Sequence, residues 1–123
     1  MKFRLADHAA GYAIQAYGPG EVNINGRIFR RGLLVTPLRI LEDWRPQRFE
    51  DLTAEDFAQV AELAPELLLL GTGPRQRFPA PHLYAALTAR GIALEAMDTG
   101  AACRTYNILL TEGRRVALAL FLT

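Results

Sequence analysis

The sequence predicts a single α/β domain over residues 1–123, in which helices flank a central mixed β-sheet as three layers. Three observations carry this prediction. Helical and strand patterns alternate through the second half of the chain, as they do in layered α/β domains. Residues 67–70 are an unbroken leucine run, which is typical of a strand buried on both faces and therefore central in its sheet. An Asn-Gly pair in the first half adds an N-terminal antiparallel hairpin region.

The hairpin is the clearest local signal in the first half. Asn25 and Gly26 tolerate the positive φ angles of a two-residue turn whose twist matches that of its strands. That register sets Val22 opposite Phe29. Further strand is predicted over residues 12–17, 33–35 and 38–44. Pro37 separates the last two stretches, because proline has no backbone N–H to donate to a ladder.

Two helices and three strands are predicted next, with their ends marked by capping residues. Thr53 and Asp56 resemble a capping box for the first helix, and Pro65 ends it. Pro81 suits the first turn of a second helix that runs to about residue 90, and Gly91 caps it. The strands of this half are predicted over residues 67–70, 92–97 and 116–122.

The third predicted helix carries the only cysteine of the chain. Thr99 is expected to cap this helix, and Gly113 to end it. Its apolar stripe consists of Ala102, Cys103, Tyr106, Leu109 and Leu110. A catalytic thiol needs a neighbouring base, and neither His8 nor His82 lies in a recognisable motif. We therefore interpret Cys103 as a small buried hydrophobic residue.

Composition argues against several classes of partner and location. The net charge is +1, and no basic stripe carries interleaved aromatic residues, so we expect no nucleic-acid partner. No apolar run approaches the roughly 20 residues of a membrane span, and no signal peptide is visible, so we expect no membrane span and a cytoplasmic location. A single cysteine argues against an internal disulfide and a cysteine-rich metal site.

The charged residues are unevenly distributed. Residues 1–48 hold eight basic and four acidic side chains, residues 49–66 hold six acidic and no basic ones, and residues 67–123 hold six basic and three acidic ones. All the basic residues except Lys2 are arginines. Arginine forms bidentate pairs with carboxylates and phosphates, so the bias is compatible with an interface. The abundance of Ala, Leu, Arg and Gly favours a simpler explanation, in which the base composition of the genome accounts for the preference for arginine.

A candidate ligand pocket lies at the carboxyl ends of the predicted parallel strands, where open α/β sheets collect ligands. Its residues are Gly71, Thr72, Gly73, Arg75, Asp98, Thr99 and Arg104. The free N–H groups at the start of the third helix could face an anion there. The Gly-Thr-Gly sequence lacks the third glycine of a dinucleotide fingerprint, and a turn that needs small residues explains it equally well.

Asp98 has the wrong charge for an open phosphate site. When an exposed Asp98 carboxylate lies about 4 Å from a bound phosphate, their repulsion weakens binding by about 1 kcal/mol. We therefore expect Asp98 to pair with an arginine, for which Arg104 is the nearest candidate, and we expect nucleotides and sugar phosphates to bind weakly or not at all.

Four segments of the second half form a familiar combination: residues 65–73, 91–92, 101–109 and 112–116. Together with the hairpin and Gly32, they resemble the Mth-domain family, catalogued as domain of unknown function 498. The resemblance covers nearly the whole chain, and the Ala-Cys-Arg-Thr-Tyr-Asn segment is its most specific part. It implies a three-layer α/β domain with a central mixed sheet. Eukaryotic members of that family include a mitochondrial complex I assembly factor and an adipogenesis-associated cytosolic protein.

Two functional hypotheses follow. The first is a non-catalytic protein-interaction or assembly module with protein partners of unknown identity, for which Trp44 is either an exposed anchor or a cover for a sheet edge. The alternative is a small-anion- or metabolite-binding protein, or an enzyme, that uses the pocket of residues 71–73 and 98–104. The sequence predicts no catalytic residue, no metal and no cofactor. Polar side chains that converge in the pocket would favour the alternative.

Overall fold

Two β-sheets and three α-helices make up the computed structural model, which describes residues 11–122. The strands are β1 (Ile14–Gly18), β2 (Glu21–Ile24), β3 (Arg27–Phe29), β4 (Leu33–Val35), β5 (Ile40–Leu41), β6 (Leu67–Gly71), β7 (Ala93–Met97) and β8 (Val116–Leu120). The helices are α1 (Ala54–Glu62), α2 (Ala85–Ala89) and α3 (Thr99–Thr111), and 3-10 turns cover Phe49–Asp51 and Pro81–Tyr84. Among the helices of residues 11–122, none has the length and apolar character that crossing a membrane requires.

The larger sheet is mixed, as predicted. Its strand order is β5-β4-β8-β6-β7, with β6 parallel to both β7 and β8, and with β4 antiparallel to β5 and β8. The leucine run in β6 is buried throughout and has a strand on each side, although β8 takes the central position. The three parallel strands therefore end at one edge of this sheet and begin at the other.

The hairpin belongs to a second sheet instead of extending the first one. Strands β1, β2 and β3 form a separate antiparallel sheet, and only β4 and β5 of the first half join the larger sheet. The predicted register is confirmed, since Val22 faces Phe29. The turn residues Asn25 and Gly26 both have positive φ, at 50° and 95°.

Alternation along the buried strands divides the core between the two faces of the larger sheet. Leu67 and Leu69 face a cluster formed with α3 and the three-stranded sheet. Leu68 and Leu70 face the opposite cluster, which α1, α2 and the loop around Trp44 complete. The three predicted layers are therefore present, with the small sheet added beside α3.

Two predicted elements differ from the structure. The strand predicted over residues 38–44 shrinks to β5, because residues 36–39 form a tight turn in which the Thr36 N–H donates to the Arg39 carbonyl at 2.8 Å. The helix predicted over residues 81–90 splits into a 3-10 turn and α2 at Tyr84, whose ring packs edge-on against Phe57. His82 lies exposed in that 3-10 turn, and His8 lies outside the described residues.

Trp44 belongs to the core, so its interpretation as an exposed anchor is wrong. Its side chain is 2% exposed, and its ring centroid lies 6.0 Å from that of Phe121. The neighbouring Arg45 instead points outward and bonds to Asp56, which accepts the Thr53 N–H at 2.8 Å and completes the predicted capping box.

Candidate functional site

A cleft of about 560 Å³ opens at the edge where the parallel strands end. Its walls come from the turn at residues 17–20, the loop at residues 73–74, the start of α3 with Arg104, and residues 121–122 after β8. We call it the carboxyl-edge cleft. Its position agrees with the rule that ligands collect beyond the carboxyl ends of parallel strands.

The cleft gathers some of the predicted site residues and leaves out others. Gly73, Asp98, Thr99 and Arg104 line it together. The remaining three, Gly71, Thr72 and Arg75, are not part of the lining. Gly71 and Thr72 are buried behind it, whereas Arg75 is exposed outside it.

Asp98, not Thr99, caps α3, and it forms no ion pair with another residue of 11–122. Its Oδ1 accepts the backbone N–H of Ala101 at 2.9 Å, so the carboxylate occupies the position that an anion would take at this helix end. The expected pairing of Asp98 with Arg104 is wrong. Thr99 uses its hydroxyl to tie two loops together, accepting the Gly73 N–H at 2.9 Å and donating to the Phe121 carbonyl at 3.2 Å.

Close packing and internal hydrogen bonds explain the residues before the cleft. A Cβ on Gly71 would lie 2.7 Å from Leu120 Cδ2 and 3.3 Å from the Ala102 Cβ, so the position has no room for a side chain. The buried Thr72 hydroxyl lies 2.6 Å from the Arg75 carbonyl oxygen and accepts the Arg77 N–H at 3.1 Å. These residues fix the loop and turn no unpaired polar group toward the cleft.

Arg104 reaches across the cleft to the small sheet. It donates to the Tyr17 hydroxyl, and its guanidinium lies 6.0 Å from the centroid of the Tyr17 ring. A Cβ on Gly100 would lie 2.9 Å from Tyr17 Cε1, so the glycine allows this close approach of ring and helix. The arrangement leaves part of the guanidinium exposed on the cleft wall.

The interpretation of Cys103 as a buried hydrophobic residue is confirmed. Its side chain is fully buried in the cluster between α3 and the two sheets. Burial raises the pKa of this thiol to about 12, and the nearby charge of Arg104 offsets only part of that effect. At neutral pH the group is therefore a protonated thiol, which is a poor nucleophile.

The segment that carries the family resemblance attaches the small sheet to α3. Asn107 holds β1 from the side, since its Oδ1 accepts the Ile14 N–H at 2.9 Å and its Nδ2 donates to the Ile14 carbonyl at 2.7 Å. The Tyr106 hydroxyl donates to the Tyr12 carbonyl at 2.6 Å, and burial raises the pKa of that hydroxyl. The most specific motif of the chain thus has a structural role in these contacts.

Sequence reasoning missed the apolar half of the cleft. Tyr17 and Pro19 come from the small sheet, and Phe121 and Leu122 follow the third parallel strand. The end of the strand predicted over residues 116–122 was an available signal for the last two. Within residues 11–122, no group of three or more His, Cys, Asp or Glu side chains is arranged to hold a metal ion.

A family model described as a protein of unknown function, DUF498/DUF598, matches residues 14–121. The chain belongs to this family. The match spans nearly all of the residues that the structure describes, so the resemblance noted in the sequence is confirmed for the DUF498/DUF598 domain as a whole.

Relatives of this DUF498/DUF598 chain include proteins with assigned roles. The Danio rerio protein named NADH dehydrogenase (ubiquinone) 1 alpha subcomplex assembly factor 3 is 38% identical over 114 residues, which cover 91% of this chain and 65% of that protein. The chain spans between 59% and 65% of the length of three such assembly factors.

Solved structures share the fold of this DUF498/DUF598 chain. A crystal structure of a Bordetella parapertussis protein has a TM-score of 0.84 and 45% identity, covering 89% of this chain and 94% of that one. A Bordetella pertussis solution structure described as a Mth938-like domain has a TM-score of 0.80 and 38% identity, covering 91% of this chain and 86% of that one. Both comparisons establish the α/β fold, and the second identifies it as Mth938-like.

Proposed function

We propose that this chain is a non-catalytic protein-interaction module that serves the assembly of a larger complex. The observation that carries the proposal is the 38% identity, over 91% of the chain, to a protein named as an assembly factor for NADH dehydrogenase. Because the chain spans only part of that relative's length, the identity of its own partner is part of the proposal.

The chemistry of the carboxyl-edge cleft supports an interaction role over a catalytic one. The Asp98 carboxylate and the Thr72 and Thr99 hydroxyls are each engaged in bonds within the chain. Cys103 is buried and protonated, so it has neither the exposure nor the thiolate that nucleophilic catalysis needs. These three polar groups are thus used in holding the loops in place.

Arg104 favours a second candidate, a protein that binds a small anion or metabolite in the cleft. Its guanidinium stands on the cleft wall and forms no ion pair with another residue of 11–122, so it has donors to offer a carboxylate or phosphate. The Asp98 carboxylate opposes this candidate, because it places a negative charge at the same helix end.

The two candidates are separated by what accompanies the chain from its native cell. We would tag the chain at its own locus, purify it under native conditions and measure the masses of the purified complexes by native mass spectrometry. We expect a protein partner at fixed stoichiometry, confirmed by tagging that partner and recovering this chain. NADH dehydrogenase subunits are the first partners to examine, as the name of the relative suggests.

Deleting the gene for this chain tests whether the purified complex depends on the chain for its assembly. Native gels of the deletion strain should show an incomplete complex that matures when the chain is restored. A chain recovered with only a small molecule of constant mass, and no incomplete complex in the deletion strain, would favour the second candidate. The cytoplasmic location and the lack of a nucleic-acid partner stay predictions of the sequence, and cell fractionation tests the first of them.

A further inference from the structure

A second recess lies at the opposite edge of the larger sheet, where the parallel strands begin. It has a volume of about 450 Å³, in the range of ligand pockets, and we call it the arginine groove. Its walls are the turn at residues 36–39, the end of α1 at residues 62–65, and the residues around Gly113 that lead into β8. Leu63, Pro65 and Val116 give it apolar walls, and Leu38 stands 86% exposed at its rim.

The arginines of the chain divide into a paired set and an unpaired set. Within residues 11–122, seven arginines form ion pairs, and these pairs use five of the six acidic residues between positions 49 and 66. The arginines without an ion pair among the described residues are Arg31, Arg39, Arg75, Arg104 and Arg115. Two of these, Arg39 and Arg115, line the arginine groove.

The backbone at Arg115 is held in position by Glu66. Glu66 accepts the Arg115 backbone N–H at 2.9 Å and lies 3.4 Å from Arg114 Nε, and these two contacts hold the pKa of Glu66 below its usual value. The carboxylate is therefore occupied by the backbone and by Arg114. The Arg115 side chain stays exposed and forms no ion pair with another residue of 11–122, although its charge also interacts with that of Glu66.

The turn at residues 36–39, which forms another wall of the groove, is also fixed. The Thr36 hydroxyl accepts the Arg39 N–H at 3.0 Å and the Leu38 N–H at 3.3 Å. This bonding closes the turn and places Leu38 and Arg39 side by side in solvent. A surface whose backbone is already ordered loses little entropy when a partner binds.

We propose that the arginine groove binds an acidic peptide segment of a partner protein, one that places an aliphatic side chain between carboxylates. This inference rests on the proposed interaction function and names the surface that performs it. Charge complementarity identifies the occupant, because the guanidiniums of Arg39 and Arg115, which form no ion pair among residues 11–122, flank apolar walls, and carboxylates pair with guanidinium bidentately. The acidic residue of the lining, Glu62, forms its own ion pair with Arg90 at 3.8 Å. A free phosphate would leave the apolar walls and the exposed Leu38 unused.

The probe is a short, end-blocked synthetic peptide that alternates glutamate with leucine, titrated into the labelled full chain and followed by amide shifts. We expect saturable shifts over residues 36–39, 62–65 and 113–116, with a dissociation constant below about 1 mM. Replacing glutamate with lysine, or leucine with serine, should each abolish binding. Binding should also weaken as salt rises above about 0.1 M, because exposed charges are screened.

Variants locate the site. The double change Arg39→Glu with Arg115→Glu should weaken peptide binding by about tenfold or more, since two attractions become repulsions. Arg31→Glu with Arg75→Glu is the matched control, because it makes the same charge change, also at two exposed arginines without an ion pair among residues 11–122, at the other edge of the sheet, and it should leave binding unaltered. Amide spectra that match those of the native chain establish that each variant is folded. If the charge-reversal variant does not fold, Arg39→Gln with Arg115→Gln replaces it in the test.

Four outcomes would overturn the inference. They are no saturable shift, equal binding of the lysine peptide, shifts confined to the carboxyl-edge cleft, and binding of anionic lipid vesicles without binding of the peptide. Native purification of the double variant separates the inference from the function on which it rests. If the variant retains its stoichiometric partner, the assignment of the groove as the binding surface is wrong and the interaction function stands. If the native chain has no partner, the function itself fails.

Discussion

The two recesses of the larger sheet differ in how far their polar side chains are bonded within the chain. At the carboxyl edge, Thr72, Asp98 and Thr99 spend their polar atoms on bonds within the chain. The cleft arginine, Arg104, donates to the Tyr17 hydroxyl, whereas the groove arginines Arg39 and Arg115 have side chains without a hydrogen bond or ion pair to another residue of 11–122. The carboxyl edge is where a parallel sheet usually binds its ligand, so position in the fold does not by itself identify the binding surface.

This difference gives each edge its own energetic signature. Groups that bond internally contribute to stability, and their loss should destabilise the fold. Groups left in solvent contribute little to stability, so changing them should alter binding with small effects on the free energy of unfolding. Stability measurements on variants at matched positions of the two recesses therefore test this difference.

The largest effect is expected from Thr72→Val at the carboxyl edge. This change keeps the shape but leaves the Arg77 N–H and the Arg75 carbonyl without their partner, so the free energy of unfolding should fall by about 1–3 kcal/mol. Thr36→Val at the amino edge is the matched control, and it should cost less because Thr36 is only half-buried. Equal losses in urea denaturation would erase the contrast.

Cys103 should produce the next effect, through the pH dependence of stability. Burial raises the thiol pKa from 9.0 to about 12, so the folded chain holds its proton more tightly than the unfolded chain does. The stabilisation is complete below pH 9.0 and is lost as the pH rises toward 12. By about pH 10 the loss should be about 1 kcal/mol.

Cys103→Ala is the control for this titration, and it should flatten most of the slope. The folded native chain should also react slowly with a thiol reagent at neutral pH. Rapid stoichiometric labelling of the folded chain would contradict the buried, protonated state.

The smallest effect is expected from Ala64→Gly on the wall of the arginine groove. Ala64 has a φ of 52°, a left-handed conformation that costs about 1–2 kcal/mol for a residue with a side chain, whereas glycine adopts it freely. The larger conformational entropy of glycine in the unfolded chain offsets part of this gain. The free energy of unfolding should therefore rise by up to about 1 kcal/mol. Ala58→Gly, inside α1 and exposed, should instead lower it. Thermal unfolding that shows the same sign for both would contradict the assigned strain.

Local chemistry made most of the fold predictable. The Asn25-Gly26 turn, the Thr53 and Asp56 capping box and the leucine run of β6 each act through neighbours in the sequence, and each was predicted correctly. The separation into two sheets depends on contacts between distant segments, such as Asn107 with Ile14, which periodicity does not record. The burial of Trp44 likewise depends on Phe121, far along the chain.

The candidate site was predictable in position but not in chemistry. The ends of strands β6 and β7 identified the edge, and Gly73, Asp98 and Thr99 do lie together there. Which hydrogen bonds they form was not predictable, because Asp98 could serve the helix or an arginine and only the three-dimensional packing decides. The arginine groove was missed because its walls come from three separate segments without a shared motif.

The hydrogen bonds that join α3 to β1 and to Tyr12 just before it affect both folding and local opening. Asn107 bonds to Ile14 across 93 positions of the chain, and Tyr106 bonds to Tyr12 across 94. Closing such long loops is slow, so the three-stranded sheet should dock late, after α3 has formed on the larger sheet. The same sheet can then open as one cooperative unit while the rest stays folded. In hydrogen exchange, its amides would form a single group of intermediate protection, separate from the most protected strands β6 and β8.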